Sequence, residues 1–176
     1  LGFRGEALAA ISSVSKVEMF TKTKYSELGT HYIIEGGEEK LYEEAGCPDG
    51  TTIIIRDIFY NTPARMKFLK KDTSEANAAA AAVDRIALSH PEISFKLIKD
   101  GKQVLNTPGD GLLKSACFSV FGAEFTNSLL EVNYELDGIC VNGFVTKPTA
   151  AKKNRTMQFF FLNGRYIKSR SCMASM

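Results

Sequence analysis

The stretch from Asp72 to about Leu88 constrains this chain most. Asp72-Thr-Ser-Glu75 supplies a capping residue and early acidic charge, Ala78–Ala82 is a run of the strongest helix former, and His90-Pro91 stops what precedes it. A long helix is therefore predicted over 72–88, inside a chain whose flanking segments carry strand patterns instead. That combination predicts an α+β protein.

Ahead of the helix, Lys16–Thr23 alternates in polarity, and Thr30–Glu35 and Lys40–Ala45 are joined by a Gly36-Gly37 turn, so an antiparallel sheet is expected. Pro48-Asp49-Gly50 then introduces Gly50–Asp57, whose continuous Ile53–Ile55 predicts a central strand buried on both faces. His31 has no carboxylate or cysteine beside it in sequence and reads as structural. Thr62 is placed to cap a helix from Pro63 to about Lys70. Behind the long helix come a strand pair, Ile93–Ile98 and Gln103–Asn106, turning through Asp100-Gly101, and then Thr107-Pro-Gly-Asp-Gly111. That Pro/Gly cluster is taken as a domain boundary, giving domains 1–107 and 108–176. The second domain reads as a helix (Leu112–Phe121), strands near Leu129–Glu135, Ile139–Lys147 and Met157–Leu162, and a helix starting near Ser171.

Chemistry is suggested first by Gly2-Phe3-Arg4-Gly5-Glu6-Ala7-Leu8. Two glycines bracket an aromatic and an arginine ahead of a short helix, which suits either a phosphate cradle or a loop and cap. Charge adds to this. The net value is only +2, yet residues 138–176 hold Lys147, Lys152, Lys153, Arg155, Arg165, Lys168 and Arg170 with no Asp or Glu. Such a region either attracts phosphates or is a solvated basic face. Cys47, Cys117, Cys140 and Cys172 are far apart with no C-x-x-C pair, so they read as reduced thiols and not as a metal site. No Walker A or G-x-G-x-x-G pattern occurs. No apolar run suits a membrane span and no signal-peptide pattern is seen, which makes cytoplasm or nucleus the expected location. Leu1 in place of Met, with the glycine turn at the extreme end, gives the expectation of a chain that begins partway through a larger protein.

Gly2–Leu8, Gly50-Thr51-Thr52, Asp57-Ile-Phe-Tyr-Asn-Thr-Pro-Ala-Arg-Met-Lys-Phe68 and Asn163-Gly-Arg-Tyr-Ile-Lys168 occur in the order and approximate spacing of the MutL family of DNA mismatch-repair proteins, which the chain resembles over essentially its whole length. The resemblance implies part of a GHKL (Bergerat) ATPase α/β sandwich in 1–107, from the end of the ATP lid, followed by a truncated ribosomal protein S5 domain 2-like α+β domain. It implies ATP as cofactor, with Gly2, Phe3, Arg4, Gly5, Glu6, Ala7 and Leu8 on the triphosphate, Thr51 or Thr52 in the adenine-side network, and Asn163 orienting the loop that carries Lys168. Lys168 is the implied catalytic residue, its ammonium meeting the γ-phosphate. Neither the family's Asp-x-Gly-x-Gly nor its Glu-x-x-x-Asn is present, so Mg²⁺ ligands are expected upstream and this chain alone is expected to be inactive.

The implied activity is slow ATP hydrolysis that drives dimerisation and DNA clamping, coordinating mismatch recognition with downstream excision. Implied partners are double- or single-stranded DNA, a MutS-type mismatch-recognition protein and a second MutL-family subunit, in a bacterial cytoplasm or a eukaryotic nucleus. Lys147, Lys152, Lys153 and Arg155 are the candidate DNA contacts. Taken without the resemblance, the FYNTPAR stretch reads as helix-start packing with Asn61 and Thr62 as caps, and Lys168 as a surface lysine. The competing assignment is a non-catalytic nucleic-acid-binding module of S5-like fold.

Overall fold

The computed structural model describes residues 5–175, which fall into two compact units, one up to Lys71 and one from Asp72 onward. In the first, helix α1 (Ala7–Ser12) leads into strands β1 (Lys16–Lys22), β2 (Gly29–Glu35), β3 (Glu38–Ala45) and β4 (Gly50–Arg56), and a single-turn helix α2 (Pro63–Met66) follows. The strands form one antiparallel sheet in the order β3-β2-β1-β4.

Strand β4 therefore lies at an edge of the described sheet, and Ile53 and Ile55 are 40% and 45% exposed. The expectation of a central strand buried on both faces is corrected here. A β-branched run reports a preference for extended backbone, and nothing in it ranks a strand's place in the sheet. Helix α2 is also shorter than expected. Thr62 stands at its N-cap position, but its hydroxyl makes no cap bond and is buried without a partner. Asn61 turns instead to donate from Nδ2 to the Ser13 carbonyl at 2.9 Å.

Residues 57–61 brace the corner between α1 and β1. Phe59 N–H donates to the Val14 carbonyl at 2.6 Å, while Gly37 and Gly36 N–H donate to Ser12 and Ser15 at 2.9 and 3.1 Å. Asp57 and Phe59 hold φ of 54° and 64° to make these contacts, conformations that carry strain for residues with a Cβ. The FYNTPAR stretch thus braces the helix that follows Gly5, in place of the expected capping of its own helix by Asn61 and Thr62.

The second unit opens with α3 (Asp72–Ser89), matching the predicted helix. It continues with hairpin β5 (Lys96–Lys99) and β6 (Lys102–Asn106), helices α4 (Leu113–Phe121) and α5 (Ala123–Thr126), hairpin β7 (Leu129–Leu136) and β8 (Ile139–Thr146), hairpin β9 (Phe160–Leu162) and β10 (Arg165–Ile167), and α6 (Arg170–Ser175). Its core joins Leu88 of α3 to Ala116 and Cys117 of α4, with Phe121, Leu129, Phe144 and Phe159 packed around them. Met157, expected in a strand, belongs to a 3-10 turn (Arg155–Met157) that Asn154 caps by accepting from Thr156 N–H at 3.1 Å.

The Thr107–Gly111 cluster is not slack. Thr107 is buried; its N–H donates to the Phe95 carbonyl, its carbonyl accepts from the Ser94 hydroxyl, and its Oγ1 accepts from Phe95 N–H, each at 2.8 Å. No helix among the described residues is long and apolar enough to cross a membrane.

Candidate functional site

Gly2, Phe3 and Arg4 lie outside the described residues. From Gly5 onward the implied phosphate turn is visible: Gly5 has φ 66°, a conformation that favours glycine, and a Cβ there would meet nothing within 4 Å. Glu6 is the N-cap of α1 without a side-chain cap bond, its carbonyl accepting from Ala10 N–H at 2.9 Å. Glu6, Ala7 and Leu8 are exposed. Gly5 and the residues that open α1 are thus exposed to solvent.

Thr51 and Thr52 stand at the entrance of β4. Thr51 pairs with Thr21 across the sheet, and their hydroxyls lie 2.8 Å apart. If Thr21 donates in that bond, the Thr51 hydroxyl keeps its own proton for a ligand. Thr52 faces Phe20 in the register and points to the opposite side of the sheet. Lys22 and Asp49, 3.1 Å apart, fasten the same end of the strands.

His31 is not solitary. Its Nδ1 is 3.2 Å from Glu43 and its Nε2 is 3.1 Å from Glu18, while its ring stacks on Phe20 at 4.2 Å. The carboxylate neighbours, absent nearby in sequence, are delivered by strand register. No group of three or more His, Cys, Asp or Glu among the described residues could hold a metal ion.

Asn163 and Lys168 belong to the second unit. Asn163 and Gly164 form the two-residue turn between β9 and β10, with φ of 48° and 74°, the type I′ geometry that an Asn-Gly pair favours. Asn163 contributes to this turn through its left-handed backbone conformation. Strand β10 then carries Tyr166 against Phe161 and Phe159, at 5.8 and 6.4 Å between ring centroids, and Lys168 follows directly. The Arg85 guanidinium of α3 lies over the Tyr166 ring at 5.1 Å. Lys168, Arg85, Asp84, Arg155 and Gln158 line one cleft of ≈ 370 Å³.

Sequence reading missed Arg85, Asp84 and Gln158. They are brought beside Lys168 by the packing of α3 against β10 and of the 155–158 turn, which no local pattern encodes. Burial pushes the Asp84 carboxyl above its usual range, and neighbouring Arg85 opposes that shift. Among the candidate DNA contacts, Lys147, Lys152, Lys153 and Arg155 are all exposed, along the segment leading from β8 to the 3-10 turn.

A family model described as the C-terminal domain of DNA mismatch repair proteins matches residues 117–176. A DNA mismatch repair protein MutL from Agathobacter rectalis is 51% identical over 170 residues, covering 96% of this chain and 26% of that protein. The MutL of Caldanaerobacter subterraneus subsp. tengcongensis is 42% identical over 175 residues, covering 99% of this chain and 30% of its own length. The chain thus spans between a quarter and a third of these relatives. The solved structure of the Aquifex aeolicus MutL ATPase domain complexed with ADP superposes with a TM-score of 0.82 at 30% identity, over 96% of this chain and 65% of that one.

Proposed function

The chain belongs to the MutL family of DNA mismatch-repair proteins, and on that premise we propose that it forms part of a nucleotide-driven DNA clamp. Its fold is the α+β arrangement the resemblance implied, part of a GHKL-type ATPase sandwich followed by an S5 domain 2-like region. We propose a family-domain boundary between residues 107 and 108, ahead of the mismatch-repair match that begins at residue 117, whereas the compact units divide between Lys71 and Asp72.

The observation that carries the reading is the likeness to an ADP-complexed MutL ATPase domain, joined to an exposed Gly5 at positive φ ahead of α1. Gly2, Phe3, Arg4 and Gly5 through Leu8 would hold the triphosphate, backbone N–H groups supplying much of the contact. Thr51 or Thr52 would serve the adenine side through a hydroxyl. Lys168 would bring an ammonium to the γ-phosphate, where charge develops during transfer, and Asn163 would fix the turn that aims it. In a full-length MutL protein, Mg²⁺ would be held by carboxylate and amide groups. It would neutralise phosphate charge. Hydrolysis would be slow and coupled to dimerisation with a second MutL-family subunit, and the clamp would connect a MutS-type recognition protein to excision. DNA would run against Lys147, Lys152, Lys153 and Arg155.

One set of measurements on a full-length MutL protein tests this. Alanine at the position of Lys168 should lower ATP turnover at least about tenfold while leaving equilibrium nucleotide binding within about threefold, as expected for a contact strengthened during transfer. Glutamate at Lys152 and Lys153 should weaken DNA binding and flatten its salt dependence. Equal loss of turnover and binding at Lys168, or an unchanged salt slope, overturns the corresponding assignment.

A further inference from the structure

The cleft beside Lys168 is charged unevenly. Arg85 from α3, Arg155 from the 3-10 turn and Lys168 after β10 share its ≈ 370 Å³ with one carboxylate, Asp84. Like charges gathered in a small space repel, and the arrangement becomes favourable when an anion enters. Two atoms are also left unsatisfied by the protein itself. Arg85 Nε–H and Gln158 Oε1 are buried with no hydrogen-bond partner. A buried donor and a buried acceptor each carry a desolvation penalty that a ligand with complementary groups removes.

Arg85 is held in place before any ligand arrives, its guanidinium over the Tyr166 ring at 5.1 Å, while Arg155 lies on the turn capped by Asn154 and Lys168 directly follows β10. Preorganisation of this kind reduces the ordering cost of binding. The cleft is near the small end of ligand pockets, about 300–1,000 Å³. It has room for a mononucleotide or the last nucleotide of a single strand, and none for a duplex.

We propose that this cleft is a phosphomonoester site in which Arg85, Arg155 and Lys168 hold the phosphate and Gln158 Oε1 accepts a hydrogen bond from a ligand hydroxyl. A monoester fits better than an internal phosphodiester because its second negative charge answers the excess of three cations over one carboxylate. The ligand is a free nucleotide or the phosphorylated end of a nucleic-acid strand, which share this chemistry. The site shares only Lys168 with the γ-phosphate reading, and Arg85 distinguishes the two.

The test follows the nitrogen-15 resonance of Arg85 Nε in the 176-residue chain during four titrations. The probes are inorganic phosphate, thymidine 5′-monophosphate, and a short single-stranded oligonucleotide bearing either a 5′-phosphate or a 5′-hydroxyl. A saturable shift with the phosphomonoesters and a much weaker one with the 5′-hydroxyl strand is expected. Arg85→Gln should weaken binding about tenfold or more, the consequence of losing a charge-assisted contact. Asp84→Asn should tighten it, about threefold or more, by removing the only competing carboxylate in the lining. Opposite effects from adjacent residues of one helix do not arise from unfolding, and wild-type-like backbone spectra check both variants.

Tighter binding of the 5′-phosphorylated strand than of the mononucleotide identifies a strand end as the ligand. The reverse order identifies a free nucleotide. The proposal is overturned if no probe saturates, if the 5′-hydroxyl strand binds as well as its phosphorylated counterpart, or if Arg85→Gln leaves binding unchanged. Normal ATP turnover after Lys168→Ala in a full-length protein, with phosphate still bound through Arg85 here, removes the γ-phosphate reading and keeps this site. Impaired turnover with no phosphate binding here does the opposite.

Discussion

The two units of this chain are stabilised by different means. Up to Lys71, the buried side chains are Ser12, Ser15 and Val17, and the sheet is defined by continuous antiparallel pairing, polar ties and cross-strand charges. From Asp72, apolar packing dominates: Ala87 and Leu88 of α3, Leu105 of β6, and Ala116 and Cys117 of α4 are buried. Burial also pushes the Cys117 thiol up to about 11, so it stays protonated and inert. The contrast teaches that the sheet unit takes its precision from backbone pairing, whereas the unit with the cationic cleft takes it from an interior. Mutations should separate the two.

The largest effect is expected from Leu88→Ala. Leu88 is 5% exposed at the centre of the helical core, and truncation of such a residue costs about 2–5 kcal/mol through lost transfer energy and a cavity. Thermal unfolding should show the loss. Hydrogen exchange should confine it to α3, α4 and their partners. Equal loss of protection in β1–β4 would show that the two units unfold together, and the contrast would fail.

An intermediate effect is expected in the sheet unit from Gly29→Ala. A Cβ there would collide with Cys47 Sγ and lie 2.7 Å from the Thr21 carbonyl oxygen, a backbone atom that cannot easily give way. Overpacking of this kind costs about 1–3 kcal/mol. Gly46→Ala is the control, since a Cβ at Gly46 meets nothing within 4 Å. A Gly29 variant as stable as the Gly46 variant would mean that β2 shifts freely, and that backbone pairing does not set this unit's geometry.

Much of this architecture was legible in local sequence because local chemistry determines it. Asp72 and Pro91 mark the ends of α3, and Asp100-Gly101, Asp137-Gly138 and Asn163-Gly164 adopt positive φ in tight turns, as such pairs do. What sequence did not reveal depends on register and packing. Ile53–Ile55 announced a strand without its position, and Thr62 had the right chemistry for a cap bond that it does not make. In the site, Asn163-Gly164 and Lys168 could be singled out from their motif, but Arg85 and Gln158 could not, since they meet Lys168 only after α3 packs on β10.

The smallest effect, and the one that most directly examines register, concerns Glu18. On β1 it pairs with Ile33 of β2 and Ile54 of β4, so His31 and Arg56 are its diagonal neighbours, within reach of long side chains. Arg56 Nη1 donates to Glu18 at 2.9 Å and His31 Nε2 lies 3.1 Å away, while Glu43 opposes His31 directly on β3. A line of polar side chains thus runs Glu43–His31–Glu18–Arg56 across all four strands. The Arg56 hydrogen bond first, and the His31 hydrogen bond next, hold the Glu18 carboxyl below its ordinary value of 4.5. A carboxylate with a depressed folded-state pKa stabilises the fold above the ordinary value, and that stabilisation disappears as pH falls through the depressed one. Glu18→Gln should therefore lower the melting temperature slightly at neutral pH, and wild type and variant should converge in acid. Added salt should narrow the neutral-pH difference, because the pair with Arg56 is partly solvated. A difference that persists undiminished in acid would mean that Glu18 acts through packing, and the sheet unit would then resemble the helical one more than its sparse interior suggests.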